Sequence, residues 1–253
     1  CMPRKEKLLN LNDIKISCGS CSINELCLPH GLEGADLEKL DSIIRHQPPL
    51  QPGQHLYRAG DLGQSLYAVR SGSLKTYCTT KNGDEQVLGF TLPGEIVGLD
   101  GMSDGQYGSY SVALETSSVC QLPFSQLDEL CAEIPSLHRQ MMRVVGKEVT
   151  ADHSMLLLLG KRSADERLAA FLLNLSSRYK TRGLSATEIN LPMSRQDIGN
   201  YLGLAIETVS RLFAHFQEQK LLRVHRRQIT LLDMARLQEI FEGCEEASSA
   251  TGS

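Results

Sequence analysis

Residues 194–213 read Ser-Arg-Gln-Asp-Ile-Gly-Asn-Tyr-Leu-Gly-Leu-Ala-Ile-Glu-Thr-Val-Ser-Arg-Leu-Phe, and this stretch decides the fold of the C-terminal part of the chain. A capping signal at Ser194 predicts the start of one helix, and a second helical run begins near Ala205. Gly203 supplies a turn residue that tolerates positive φ, and Gly199 is small where the two helices must cross. The pattern predicts a helix-turn-helix.

The second helix of this unit has two chemically different faces. Its inward face carries apolar residues at helical spacing: Val209, Leu212, Phe213 and Phe216. Its outward face groups Glu207, Ser210 and Arg211 at i, i+3 and i+4. Arginine grips guanine bidentately, glutamate accepts from the cytosine amino group, and serine bonds to several base edges. These three residues are therefore predicted to read bases in the major groove.

The charge of this segment differs from that of the whole chain. Residues 194–230 carry six Lys or Arg and three Asp or Glu, a net +3 in a chain that totals -4. Residues 224–232 predict a wing hairpin with Arg226 near its tip. We therefore also assign Ser194, Arg195 and Arg226 to DNA binding, because a local basic excess suits phosphate contacts. The alternative is an ordinary helical hairpin with a solvated charged face.

The region before residue 134 has a β character. Eleven of the 21 glycines lie between Gly53 and Gly108, where they separate short β-favouring runs. The Asn82-Gly83 pair predicts a hairpin turn between two of these runs. With 253 residues and 41% hydrophobic content, the chain is long enough for two globular units. The predicted fold class is α+β, with an N-terminal antiparallel β-roll, a long helix and a C-terminal winged helix-turn-helix.

A glycine-poor stretch after Pro135 repeats apolar positions at alternating spacings of three and four residues. The repeat predicts a coiled-coil seam between two copies of the chain, with one carboxylate in it. A helix buried in the core of a single copy is the alternative. The seam begins at His138, and the residues assigned to dimerisation are Met141, Val145, Val149, Asp152, Leu156 and Leu159.

Three cysteines near the N-terminus are close enough to wrap one metal group. Cys18, Cys21 and Cys27 form such a loop, and iron-sulfur clusters commonly take three thiolates from a loop and a fourth from elsewhere. Structural zinc is the main alternative, although no second cysteine knuckle accompanies this one. Spacing alone leaves the fourth ligand open among Cys78, Cys120, Cys131 and Cys244. On a strand over 118–122, Cys120 shares a face with Leu122 and can point under a docked N-terminal loop.

Taken together, these segments resemble the FNR family of anaerobic regulators, within the cyclic-AMP receptor protein superfamily, over roughly residues 16–240. The stretches that carry the resemblance are Cys18-Gly-Ser-Cys21 with Cys27, Leu114-Glu-Thr-Ser-Ser-Val-Cys120, Ala164-Asp-Glu-Arg-Leu-Ala-Ala-Phe171, Asp197-Ile-Gly-Asn-Tyr-Leu-Gly-Leu204 and Ile206-Glu-Thr-Val-Ser-Arg211. The resemblance implies that Cys120 is the fourth ligand of a [4Fe-4S] cluster. It further implies that oxygen converts this cluster to [2Fe-2S], after which the homodimer dissociates and leaves its DNA.

The resemblance also implies partners. Palindromic DNA with TTGAT-like half-sites is expected, with base reading at the family positions that match Glu207, Ser210 and Arg211. Loops around 83–84 and 116–118 are candidates for contact with RNA polymerase. Cyclic nucleotide binding is not expected, because residues 94–114 contain no Lys or Arg to balance a phosphate.

The resulting domain organisation assigns a function to each part of the chain. The predicted parts are a cysteine-rich cluster-binding segment (1–30), a β-roll sensory domain (31–134), a dimerisation helix (135–160), a winged helix-turn-helix domain (161–242) and a disordered tail (243–253). A cytoplasmic protein without a membrane span is expected. Two alternatives stay open: a helix-turn-helix regulator that uses zinc or another redox or small-molecule effector, and an iron-sulfur electron carrier or enzyme. Without a nucleotide fingerprint or a nucleophile-base set, no enzyme is expected.

Overall fold

Two four-stranded antiparallel sheets face each other in the N-terminal half of the computed structural model, which describes residues 17–243. The strands are β1 (Arg45–His46), β2 (His55–Tyr57), β3 (Ser65–Ser71), β4 (Leu74–Thr79), β5 (Glu85–Thr91), β6 (Ile96–Val97), β7 (Tyr110–Ala113) and β8 (Ser118–Pro123). One sheet has the order β1-β8-β3-β6 and the other β2-β7-β4-β5. The predicted antiparallel roll is confirmed.

The turn between β4 and β5 follows the sequence expectation. Thr79 pairs with Glu85 across the hairpin, and Gly83 lies between them with a φ of 88°. A left-handed φ is what a glycine at a tight hairpin turn supplies at no steric cost. The Asn-Gly pair was therefore a sound predictor of this hairpin.

Eight α-helices occur in the described part of the chain, and the fourth of them leads from the roll to the C-terminal domain. They are α1 (Gly34–Ile43), α2 (Gly101–Asp104), α3 (Phe124–Glu133), α4 (Pro135–Lys161), α5 (Ala164–Thr181), α6 (Arg195–Leu202), α7 (Ile206–Glu218) and α8 (Met234–Glu242), and two short 3-10 turns, Cys18–Ser20 and Asn24–Leu26, precede them. The Ser163 side chain caps α5 by accepting from the Glu166 amide, and the Glu166 carboxylate in turn accepts from the Ser163 amide. This reciprocal pair stops α4 and starts α5 within two residues.

The C-terminal domain is a winged helix. Its three-stranded sheet has the order β10-β11-β9, from β9 (Glu188–Asn190), β10 (Leu222–His225) and β11 (Gln228–Leu231). Ser194 and Asp197 form a capping box at the start of α6, and Gly203 ends α6 with a φ of 63°. The predicted helix-turn-helix and wing are confirmed.

The long helix α4 differs from its prediction at Met141. Met141 is only 4% exposed and packs in the core of its own β-roll with Leu137, so its assignment to a dimer seam is corrected. Val149 and Leu156 are exposed by 47% and 69%, with Asp152 exposed between them. A 3.5-residue repeat reports an apolar stripe, and it does not distinguish the chain's own core from a second copy as the packing partner.

The roll and the winged helix pack directly against each other. Phe90 of β5 lies 6.1 Å from the ring of Phe171 and 5.2 Å from that of Tyr201. Lys75 of β4 pairs with Asp197 of α6 at 2.8 Å. The two domains therefore share one hydrophobic cluster with an ion pair at its edge.

Two further sequence expectations concern the chain as a whole. No helix among residues 17–243 combines the length and the apolar composition needed to cross a membrane. The disordered tail predicted for 243–253 lies outside the described residues apart from Gly243, which ends α8 in a left-handed conformation.

Candidate functional site

The outward face of α7 presents the three residues predicted to read bases. Glu207, Ser210 and Arg211 are all exposed, whereas Val209 and Phe213 are buried beneath them. The Ser210 hydroxyl donates to the Ile206 carbonyl at 2.9 Å. The helix thus packs through one face and leaves polar side chains free to approach a groove.

Close packing at Gly199 sets the angle between α6 and α7. A Cβ at this position would lie 2.6 Å from the Leu204 carbonyl oxygen and 3.6 Å from the Val209 side chain. No other residue type fits without moving the backbone of the turn. Gly199 therefore positions the reading helix without contacting DNA itself.

Arg195, at the start of α6, is held in place by an aromatic ring. Its guanidinium lies 3.3 Å from the ring centroid of Phe213. Burial lowers the pKa of Arg195 to about 10, which leaves it charged at neutral pH. The residue is half-buried, so only part of the guanidinium faces outward.

The predicted phosphate contacts border a cleft between the winged helix and the roll. This cleft has a volume of about 490 Å³, and its walls include Ser194, Arg195, Arg226 and Arg227 on one side and Lys75 on the other. Arg226 is at the tip of the wing with a φ of 57°. The structure thus brings Ser194, Arg195 and Arg226 together at one cleft.

Four cysteines from two distant segments line one apolar cavity. Cys18, Cys21 and Cys27 come from the loop that covers the roll, and Cys120 comes from β8. Leu122 lines the same cavity, as expected for a residue two positions along a strand. Cys78 and Cys131 do not line it.

The local environment of Cys18, Cys27 and Cys120 favours the neutral thiol when nothing positive is bound. Burial, and then the carboxylate of Asp41, raises the pKa of Cys18. Burial raises the pKa of Cys27 to about 12, and it also raises the pKa of Cys120, against the opposing effect of Arg70. Such a pocket favours thiolates only when a cationic group compensates for lost hydration.

Several polar residues around the cavity escaped the sequence reading. The Asp41 carboxylate accepts the Cys18 amide at 2.8 Å and so ties the loop to α1. The Cys120 sulfur lies 3.9 Å from Nδ1 of His46 on β1, and Arg70 is a further wall residue. These residues have no characteristic spacing from the cysteines. The pairing of β1 with β8 places His46 opposite Cys120, whereas the packing of α1 brings Asp41 to Cys18.

The described residues contain no group of three or more His, Cys, Asp or Glu side chains already gathered around a single metal ion. The four thiols share a cavity but are not collapsed onto one point. A single tetrahedral ion needs its ligands closer together than does a cluster of several irons. The donor set and the apolar wall fit a thiolate-bound cluster.

In the roll, a carboxylate accepts hydrogen bonds from backbone amides within residues 94–114, the segment without Lys or Arg. Asp100 accepts the amides of Gly108 and Ser109 at 3.0 Å each and the Ser109 hydroxyl at 2.7 Å. The rings of Tyr57 and Tyr107 stack nearby with centroids 3.9 Å apart. An anionic ligand would meet a negative charge here.

Two family descriptions match separate parts of the chain. Residues 166–240 match the Crp-like helix-turn-helix domain, and residues 48–134 match the cyclic nucleotide-binding domain. Among solved structures, FixK2 from Bradyrhizobium japonicum is 30% identical with a TM-score of 0.72, covering 78% of this chain and 97% of its own.

Curated relatives match nearly the whole chain. The transcriptional activator protein FnrA of Stutzerimonas stutzeri is 48% identical over 91% of this chain and 94% of its own. The fumarate and nitrate reduction regulatory protein of Escherichia coli K12 is 50% identical over 85% of this chain and 86% of its own. With its winged helix and its β-roll, the chain therefore belongs to the FNR family of DNA-binding transcription regulators in the Crp superfamily.

Proposed function

We propose that this regulator responds to oxygen through a [4Fe-4S] cluster held by Cys18, Cys21, Cys27 and Cys120. The observation that carries the proposal is that these four thiols, drawn from a loop and a distant strand, line one apolar cavity. When bound, such a cluster supplies an iron-sulfur centre that oxygen can attack. Zinc bound by the same four thiols is the alternative.

The chain's own residues hold the loop and shield it from water. Asp41 fixes the amide of Cys18, and Leu28 and Leu40 close the cavity with side chains that are almost fully buried. His46 and Arg70 stand beside Cys120, where they can donate hydrogen bonds toward a ligating sulfur. The apolar wall limits how fast solvent reaches the ligands.

The active form in this proposal is a homodimer that binds palindromic DNA. Val149 and Leu156 expose apolar side chains on α4, and two copies meeting there would bury them. Leu159 lies next to Gly203 of the helix-turn-helix, so the end of the seam lies against the reading unit. Glu207, Ser210 and Arg211 then read each half-site, for which the TTGAT-like sequence is the expectation.

The remaining partners follow from the same proposal. The exposed turn at 83–84 is assigned to RNA polymerase. The turn at 116–118 is less suited to that contact, because Ser117 and Ser118 are buried and only Thr116 is exposed. We place the protein in a reducing cytoplasm, where thiols stay available. The carboxylate of Asp100 on the amides of Gly108 and Ser109 argues against a cyclic nucleotide as the effector.

Iron analysis of cysteine variants tests the ligand set. Anaerobically purified protein should contain about four irons and four sulfides per chain, absorb visible light, and lose both iron and colour in air. Cys120→Ala should abolish the cluster and specific DNA binding together. Cys131→Ala is the matched control, since Cys131 is half-buried but lies outside the cavity.

The outcomes separate the candidate functions. Full iron in Cys120→Ala, or loss of iron in Cys131→Ala, would contradict the ligand assignment. Colourless protein containing zinc would replace the oxygen sensor with a zinc regulator. Iron-loaded protein that binds no DNA would point to the electron carrier instead.

A further inference from the structure

A tight turn between β5 and β6 touches both the cysteine loop and the DNA-binding domain. The turn is formed by Leu92, Pro93, Gly94 and Glu95 and is closed by the bond from the Glu95 amide to the Leu92 carbonyl at 3.0 Å. We call these four residues the coupling turn.

On one side, the coupling turn packs against the cysteine loop. A Cβ on Gly94 would lie only 2.7 Å from the Cβ of Leu26, a residue one position before Cys27. Gly94 also has a φ of 88°, so this position requires glycine both for its left-handed backbone and for its lack of a side chain. A displacement of the loop at Leu26 therefore removes or shifts the side chain against which Gly94 packs.

On the other side, the coupling turn is clamped to α5. Glu95 accepts the Nε of Arg178 at 2.9 Å and the guanidinium of Arg182 at 2.6 Å. Arg182 also donates to the Pro93 carbonyl at 2.8 Å, and Arg178 donates to that of Phe90. Burial disfavours ionised Glu95, but the two arginines outweigh it and hold its pKa below the usual range.

The strand register connects the turn to the fourth cysteine as well. Ala68 of β3 pairs with Cys120 on one side and with Ile96, the neighbour of Glu95, on the other. Val69 exchanges backbone bonds with Gly94 and Glu95. The turn is thus next to the cysteine site through both the loop and the sheet.

We propose that the coupling turn transmits the state of the cysteine loop to the DNA-binding domain within one protomer, with Glu95 as its positioning residue. This inference rests on the proposed cluster, but it adds a route that does not pass through the dimer seam. A loop fixed by its cluster keeps Leu26 against Gly94, and Glu95 then holds α5 and the winged helix in the orientation that binds DNA. Loss of the cluster releases the loop and loosens this clamp.

Hydrogen exchange on the cluster-loaded and cluster-free full-length protein tests the route. In wild type, the amides of residues 178–183 should exchange more slowly when the cluster is present. Glu95→Gln should keep its iron, its visible spectrum and its dimer in sedimentation, yet these amides should exchange equally fast with and without the cluster. Its affinity for the palindrome should fall about tenfold, within the range usual for coupled sites.

Lys75→Gln is the matched control. It removes the other ion pair between the domains, to Asp197, and that pair does not touch the coupling turn. This variant should retain the cluster-dependent protection of residues 178–183. Glu95→Asp keeps the negative charge on a shorter side chain. It should therefore reduce the cluster-dependent protection in the same direction as Glu95→Gln but by less. This variant also tests the inference if Glu95→Gln does not fold.

Three results would overturn the inference. One is cluster-dependent protection in Glu95→Gln equal to that of wild type. Another is equal loss of protection in Lys75→Gln and Glu95→Gln, which would indicate a general loosening of the domain contact. The third is a wild-type protein that binds iron but whose amides at 178–183 exchange at the same rate with and without the cluster. Wild type without iron would instead overturn the proposed function, and this inference with it.

Discussion

Individual arginines in the DNA-binding domain have different surroundings, and these surroundings indicate different roles. Arg211 stands on the outward face of α7 between exposed polar neighbours. Arg226 is at the tip of the wing, beside the cleft that also contains Arg195. A side chain on the reading helix reaches base edges, whereas one at the wing tip reaches the backbone of the duplex.

Arg211→Ala should weaken binding to the cognate palindrome by roughly 1–3 kcal/mol and change binding to random DNA little, because a base contact is lost. Arg226→Ala should weaken both alike and flatten the salt dependence, because a phosphate contact is lost. Binding isotherms at several salt concentrations on both DNAs measure this. Equal losses on the two DNAs for Arg211→Ala would place it on phosphate instead.

Elements in this chain are joined by short caps and close crossings. Arg167 of α5 donates to the Leu159 carbonyl at the end of α4 and to the Leu202 carbonyl at the end of α6, at 2.8 and 3.0 Å. One guanidinium thus donates to carbonyl groups in the last turns of two helices, where the helix itself supplies no amide partner. The crossing of α6 and α7 depends in turn on the absence of a side chain at Gly199.

Gly199→Ala should destabilise the protein by about 1–3 kcal/mol, as overpacking against backbone usually does, and should impair DNA binding. Urea unfolding of the cluster-free protein measures the change. Gly146→Ala is the control, because a Cβ there meets nothing within 4 Å on an exposed part of α4. It should gain up to about 1 kcal/mol from helix propensity. A Gly199→Ala variant as stable as wild type would contradict the crossing argument.

At the scale of the whole molecule, dimer formation depends on a stripe that contains a carboxylate. Asp152 is exposed on α4 between Val149 and Leu156. In a two-fold dimer each seam residue tends to meet its symmetry mate, so two carboxylates would approach each other where water is scarce. Like charges there cost stability, and the dimer would then form only with support from the cluster-bound roll.

Asp152→Ala should therefore dimerise in air without its cluster and bind the palindrome there, as measured by sedimentation and DNA binding. Glu129→Ala, at an exposed acid on α3, should behave as wild type. If the aerobic Asp152→Ala variant sediments as a monomer to the same extent as wild type, the carboxylate does not weaken the dimer and this account of the switch is wrong.

The sequence by itself determined the local elements and the family. Ser194 and Gly203 indicated helix ends, and Asn82-Gly83 indicated a hairpin, because caps and turns are satisfied by residues only a few positions away. The base-reading face of α7 could be predicted for the same reason, because its three residues lie within two turns of one helix.

Only the tertiary structure decided which distant residues meet. It turned Met141 into the core of its own roll, brought Cys120 to the cavity of the N-terminal cysteines, and paired Glu95 with Arg178 and Arg182. No local spacing encodes these contacts, because each depends on how separate elements pack and on which strands pair. Packing is a property of the whole chain, and it alone places the coupling turn between the cysteine loop and the winged helix.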